Sequence, residues 1–166
     1  MHTLRNIQMT MVAVLCVLSR AAAADKVSTF SSLPKGDELE MTFTTSGCFH
    51  FATYELKFHR STELAVSIVQ IERGGLVVGK GHTSTNRVSL GDLTLTEADV
   101  AGLDRLLQFY RSSPRDGCTT VDTISVSQHH AGKTTATEQF TDGSCSYARK
   151  DLTRISELVA RLQKPK

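Results

Sequence analysis

From Glu38 to Thr44, and again from Ala52 to Phe58, the side chains alternate between apolar and polar one residue at a time, a period that a β-sheet uses. "ELEMTFTT" (38–45) sets Leu39, Met41 and Phe43 on one side. "CFHFATYELKF" (48–58) puts Cys48, His50, Ala52, Tyr54, Leu56 and Phe58 on one face and Phe49, Phe51, Thr53, Glu55, Lys57 and His59 on the other. The first of these faces grows more apolar toward its end and is expected to meet the core. "ELAVSIVQIE" (63–72) is a β-branched run; "RGG" (73–75) reads as a turn and "LVVGKG" (76–81) as the returning strand of a hairpin. "RVSLGDLTL" (87–95) reads as a short strand interrupted at Gly91–Asp92.

The period then changes. In "LTEADVAGLDRLLQFYRSS", Val100, Leu103, Leu107 and Tyr110 recur at helical spacing, with Leu106 and Phe109 widening the stripe. Thr96 is placed to cap this helix, and Glu97 and Asp99 suit the dipole of its first turn. "CTTVDTISVSQHHAGKTTATEQF" (118–140) returns to strand character and turns at "HAGK". "YARKDLTRISELVARL" (147–162) is a second amphipathic helix, with Leu152, Ile155, Leu158, Val159 and Leu162 inward. The order predicted is β-β-β-β-α-β-β-α. This is an α+β fold with a single antiparallel sheet of about six strands and two helices packed on one face. The other face, rich in Thr and Ser, is expected to be solvated.

The first 24 residues carry a different signal. Arg5 precedes "MTMVAVLCVL" (9–18), too short an apolar run to span a bilayer, and "AAAA" (21–24) offers small residues for cleavage. A signal peptide over 1–24 with a mature start near Asp25 is expected. Leu15 before Cys16 argues against a lipoprotein signal. Residues 25–37 are polar with Pro34 and Gly36 and read as a flexible leader; residues 38–163 read as one α+β domain. Removing the signal takes Arg5 and Arg20 out of the 19 basic residues and leaves basic residues equal in number to the 17 acidic ones. No dense Lys/Arg run remains, so nucleic acid loses its usual electrostatic footprint, and no later stretch could span a membrane. The expected localisation is export, to a bacterial periplasm or outside the cell.

Three cysteines follow the signal: Cys48, Cys118 and Cys145. An oxidising compartment favours pairing. If Ala131–Gly132 form a two-residue turn, facing residue numbers sum to 263, and so do 118 and 145. A Cys118–Cys145 disulfide is expected, with Cys48 left as a free thiol. Cys48 and His50 share a strand face but stand about 6.5–7 Å apart at Cα, which suits a strand start better than a nucleophile with its base. "GGLVVGK" (74–80) matches G-x-x-x-x-G-K, but Gly81 replaces the hydroxyl residue and no helix follows, so a Gly-bounded strand is the better reading. His82, His129 and His130, with His50, lack zinc-ligand spacing; the adjacent pair in a strand would point to opposite faces. No residue set defines a metal or a catalytic centre, and no cofactor motif is present.

Cys48–Phe49, Tyr54 and "AGKTT" (131–135) together resemble a group of bacterial secreted or lipoprotein domains of unknown function. Those domains carry a C-F-x-x-C-P-x-Y-like strand motif, a helix, a Thr-rich hairpin with a Gly-Lys turn and a closing helix. Here Ala52 and Thr53 replace the second cysteine and the proline, and Tyr54 falls one residue early. The resemblance implies a fold layout and draws Tyr54 into the set of candidate residues; it implies no activity. The function expected is a non-enzymatic binding or inhibitor-like module with a protein or cell-envelope partner. The alternative is a small metal-dependent or hydrolytic protein using His50, His82 and His129.

Overall fold

The computed structural model describes residues 26–48, 50–73, 85–112, 117, 119–144 and 151–163. Its strands are β1 (Asp37–Gly47), β2 (His50–Arg60), β3 (Leu64–Arg73), β4 (Thr85–Thr94), β5 (Val121–His130) and β6 (Lys133–Asp142). Helix α1 (Glu97–Arg111) lies between β4 and β5, and α2 (Ile155–Gln163) follows β6. The strands form one antiparallel sheet in the order β4-β3-β2-β1-β5-β6. The expected element order and the single six-stranded sheet with two helices are what the chain adopts.

The alternation does what its period requires. Leu39, Met41 and Phe43 of β1, Leu56 and Phe58 of β2, Leu64, Val66 and Ile68 of β3, and Ile124 and Val126 of β5 are all buried in one core. Leu103, Leu106, Leu107 and Tyr110 of α1 and Ile155, Leu158 and Val159 of α2 belong to that same core. The intervening strand residues are at least partly exposed and mostly polar, with Ala65, Val69 and Ile71 of β3 among the apolar ones, and several of their charges pair across strands. Lys57 reaches Glu38 at 2.7 Å and Glu40 at 3.6 Å, and Arg87 pairs with Glu55.

Thr96 caps α1 as expected. Its hydroxyl accepts from the Asp99 backbone N–H at 3.2 Å, and the Asp99 carboxylate accepts from the Thr96 N–H at 2.9 Å. Asp99 also accepts from Arg161 of α2 at 2.9 Å, tying the two helices together.

Four expectations need correction. Residues 26–36 are not a loose leader: Val27, Phe30 and Leu33 are buried, and the Phe30 ring meets Phe58 edge-on at 4.8 Å. The polar backbone of this strap is satisfied as well. Val27 N–H donates to Glu138, Val27 C=O accepts from Arg111, and Ser28 N–H donates to Gln128 at 2.8 Å. Three apolar anchors and these bonds offset the ordering entropy that its polar composition suggested would win. Second, helix α2 starts at Ile155, and residues 151–154 before it are not helical; residues 147–150 of the expected helix lie outside the described residues. Arg154 C=O accepts the first helical bond from Leu158, and Glu157 folds back onto the Arg154 N–H at 3.2 Å. Leu152 is buried all the same. Third, β4 is continuous, and Gly91 (φ +117°) marks a bulge, with Ile68 facing Gly91 and Val69 facing Ser89. Fourth, Arg73 of β3 pairs with Thr85, so the partner of β3 is 85–94. The return strand expected at 76–81, the Gly74–Lys80 motif and His82 lie outside the described residues.

Candidate functional site

The core face of the sheet is built in cross-strand rows. One row runs Tyr54–Phe43–Ile124–Phe140 across β2, β1, β5 and β6 and is apolar throughout. The next row toward the sheet's end is Ala52–Thr45–Asp122–Asp142. Two carboxylates thus stand directly opposite each other across the β5–β6 ladder, a placement that costs stability unless a proton or a cation intervenes. Asp142 is only 3% exposed. Its Oδ1 accepts from the backbone N–H of Ser144 at 2.8 Å and from the Ser144 hydroxyl. Asp122 Oδ1 is shielded from solvent and accepts no hydrogen bond among the described residues.

Burial raises the Asp122 pKa, and the Asp142 charge raises it further, against the Thr45 hydroxyl and His50. Tyr110 of α1 stacks on Phe140 at 5.9 Å. Its phenol is held above the ordinary tyrosine value by burial and by both carboxylates. Thr45, Asp122, Asp142, Tyr110, Leu152 and Arg154 line a cavity of about 180 Å³ at this end of the sheet. Small-ligand sites have this character, apolar walls with a few convergent polar groups and a perturbed carboxyl.

The opposite end of the core face has its own polar row. Asp37 is buried and faces His130; its carboxylate accepts from Gln128 at 2.8 Å and contacts His130 Nδ1 at 2.6 Å. His130 and then Gln128 hold the Asp37 carboxyl below its ordinary value. The two polar rows close the apolar rows between them.

The residues singled out from the sequence scatter. His129 and His130 point to opposite faces, as adjacent strand residues must. His129 lies 3.3 Å from Glu40 and 3.3 Å from the Thr134 hydroxyl, whereas His130 meets Asp37. His50 is exposed at the start of β2 opposite Gly47, and its Nε2 lies 3.3 Å from the Thr45 hydroxyl. In β1 register, His50 and His129 are nine positions apart, about 30 Å. The sheet does not bring them together, and no group of three or more His, Cys, Asp or Glu residues able to hold a metal occurs among the described residues. Tyr54 is half-buried against the core between Phe43 and Gln70. Cys48 is a free, exposed thiol in the β1–β2 turn and makes no hydrogen bond to His50.

Cys118 and Cys145 lie outside the described residues, but the ladder leading to them is visible. Ala131 (φ +49°) and Gly132 (φ +76°) form the expected two-residue turn, with His130 facing Lys133. A bulge at Thr135 then shifts the register, so that Gln128 faces Ala136 and Asp122 faces Asp142. Facing numbers sum to 264 beyond the bulge, one off the sum that matched the two cysteines.

Residue-type spacing alone did not single out Asp122 or Asp142. Comparison of the chain with protein-family models, with curated proteins and with solved structures finds no match. The functional reading therefore rests on the cavity.

Proposed function

We propose that the protein is an exported, non-enzymatic binding module, inhibitor-like in build, that holds its ligand in the cavity at the Asp122–Asp142 end of the sheet. Both helices lie on one face of the sheet in this reading, and the cavity opens where that layer meets the sheet's end. The observation that carries it is the pair of facing carboxylates, with Asp122 Oδ1 accepting no hydrogen bond among the described residues, in a pocket walled by Phe43, Leu106, Tyr110, Leu152 and Ile155. The open face is a poorer candidate, because its cations are already engaged there, Lys57 with Glu38 and Glu40 and Arg87 with Glu55. Export to a periplasm or the cell exterior follows from the apolar run and small residues within 1–24.

A small-ligand screen on the processed protein tests the reading, with the methyl resonances of Leu106, Leu152 and Ile155 as reporters. Ligands that shift those methyls without being turned over support it. A screen that leaves the cavity methyls untouched, alongside hydrolysis of any substrate, would sink it. Mass analysis of the protein recovered from cell fractions should show a start near Asp25.

A further inference from the structure

We propose that Asp122 and Asp142 form a proton-operated clasp on the rim of the cavity: one shared proton joins them and closes the rung between β5 and β6, and its loss drives them apart and opens it. This rests on the cavity being a binding site and names how access to it is regulated.

The geometry suits one proton better than two charges. Asp122 and Asp142 face each other in register and line the same cavity. Directly opposite strand residues stand about 4.5–5.5 Å apart at Cβ, which lets the O–H of one carboxyl reach an oxygen of the other. The oxygens left over match that bond. Ser144 donates its backbone N–H and its hydroxyl to Oδ1 of Asp142, which orients Asp142 as an acceptor and leaves Oδ2 for a further donor. Asp122 Oδ1 is shielded from solvent and accepts no hydrogen bond among the described residues. A shielded oxygen without a donor is costly as an acceptor and satisfied as an O–H with an acceptor beside it. The proton therefore belongs on Asp122 Oδ1, aimed at Asp142; it comes from solvent and returns to it.

The groups around Asp122 set the direction of the device. Burial and the Asp142 charge from β6 favour the neutral form of Asp122; the Thr45 hydroxyl from β1 and His50 from β2 oppose them, and the net direction is upward. Tyr110 of α1 keeps its proton, since burial and the same two carboxylates hold its phenol above the ordinary value. Arg154, just before α2, lines the cavity but has a partner of its own. The folded protein thus holds the Asp122 proton more tightly than the unfolded chain does. The clasp is closed at acid pH and opens as pH rises through the folded value of Asp122. Closed, it seals this end of the cavity and keeps water from the apolar walls; open, it admits a ligand.

The test follows the processed protein by NMR from about pH 4 to about pH 8. The side-chain carboxyl carbon of Asp122 should titrate with a midpoint above that of an unfolded aspartate. Over the same window the amides of Asp122, Thr123, Thr141 and Asp142 should come to exchange about tenfold faster, after correction for intrinsic exchange chemistry. Asp122→Asn places a permanent N–H donor opposite Asp142 and should keep that exchange slow at every pH. An Asp122 midpoint at or below the ordinary aspartate value overturns the clasp. So does exchange at this rung that ignores the titration, or a pH dependence that survives Asp122→Asn. A rung that titrates as stated, while no screened ligand moves the methyls of Leu106, Leu152 and Ile155, supports the clasp and removes the binding reading. Where the variant fails to fold, the midpoint and the exchange rates of the unsubstituted protein decide.

Discussion

Replacing Gly102 by alanine sets two opposed effects against each other. Gly102 lies inside α1, where alanine should gain about 1 kcal/mol of helix propensity over glycine. The structure predicts the reverse sign. A Cβ at Gly102 would sit 1.9 Å from Thr153 Oγ1, 2.8 Å from Thr153 Cβ and 2.9 Å from the Thr153 backbone nitrogen. The hydroxyl can rotate away, but the Cβ and the backbone nitrogen cannot. Overpacking of this kind costs about 1–3 kcal/mol, and backbone involvement puts this case in the upper half of that range. Subtracting the propensity gain leaves Gly102→Ala destabilised by about 1–2 kcal/mol. Urea unfolding should show a lower midpoint at unchanged slope. Adding Thr153→Gly should return part of the loss, with a coupling above about 1 kcal/mol in the double-mutant cycle. A Gly102→Ala protein more stable than the parent would refute the close approach of α1 to residue 153. Thr153 leads into Arg154 and Ile155, which wall the cavity, so the same variant should also shift the methyl resonances of Leu152 and Ile155.

Four further outcomes follow from other parts of the molecule. Phe30→Ala should cost about 3–5 kcal/mol in denaturant unfolding, since the ring is fully buried against Phe58; a loss below 1 kcal/mol would return residues 26–36 to a leader. Asp37 has a lowered pKa, so its contribution is present above its unfolded value and lost as pH falls through the folded one. Asp37→Asn should therefore flatten the acid arm of the stability–pH curve, whereas Asp122, whose pKa is raised, should make Asp122→Asn more stable than the parent at neutral pH. Thiol titration of the unfolded processed protein should find one free sulfhydryl, Cys48, with Cys118 and Cys145 joined; a bond from Cys48 to either of them refutes that pairing.

The fold was legible wherever one period dominated. The alternation over 38–44 and 52–58 and the helical stripe over 97–111 left little else to choose, and Thr96 and Asp99 announced their cap. The strap was missed because its signal is three apolar residues at intervals of three, Val27, Phe30 and Leu33, in a polar stretch that forms no helix or strand. The site was missed by one residue. Counting back from the Ala131–Gly132 turn sets Asp122 against Thr141, and only the bulge at Thr135 brings Asp142 there. A sheet's period of two makes such a slip decisive, since it exchanges every side chain's face. Thr135 secures the bulge by donating its hydroxyl to Gln128 C=O at 3.2 Å, a contact that no local pattern in the sequence announces.

The central place of β1 also governs how the chain acquires its structure. Strands β1 to β4 meet their neighbours by local hairpins, but β1 closes its second edge only with β5, so that Asp37 waits for His130, about ninety residues later. Pairings of such separation slow folding, because loop closure precedes its reward. The sheet cannot be completed until β5 has been synthesised, so the second edge of β1 stays unpaired through most of the chain's synthesis.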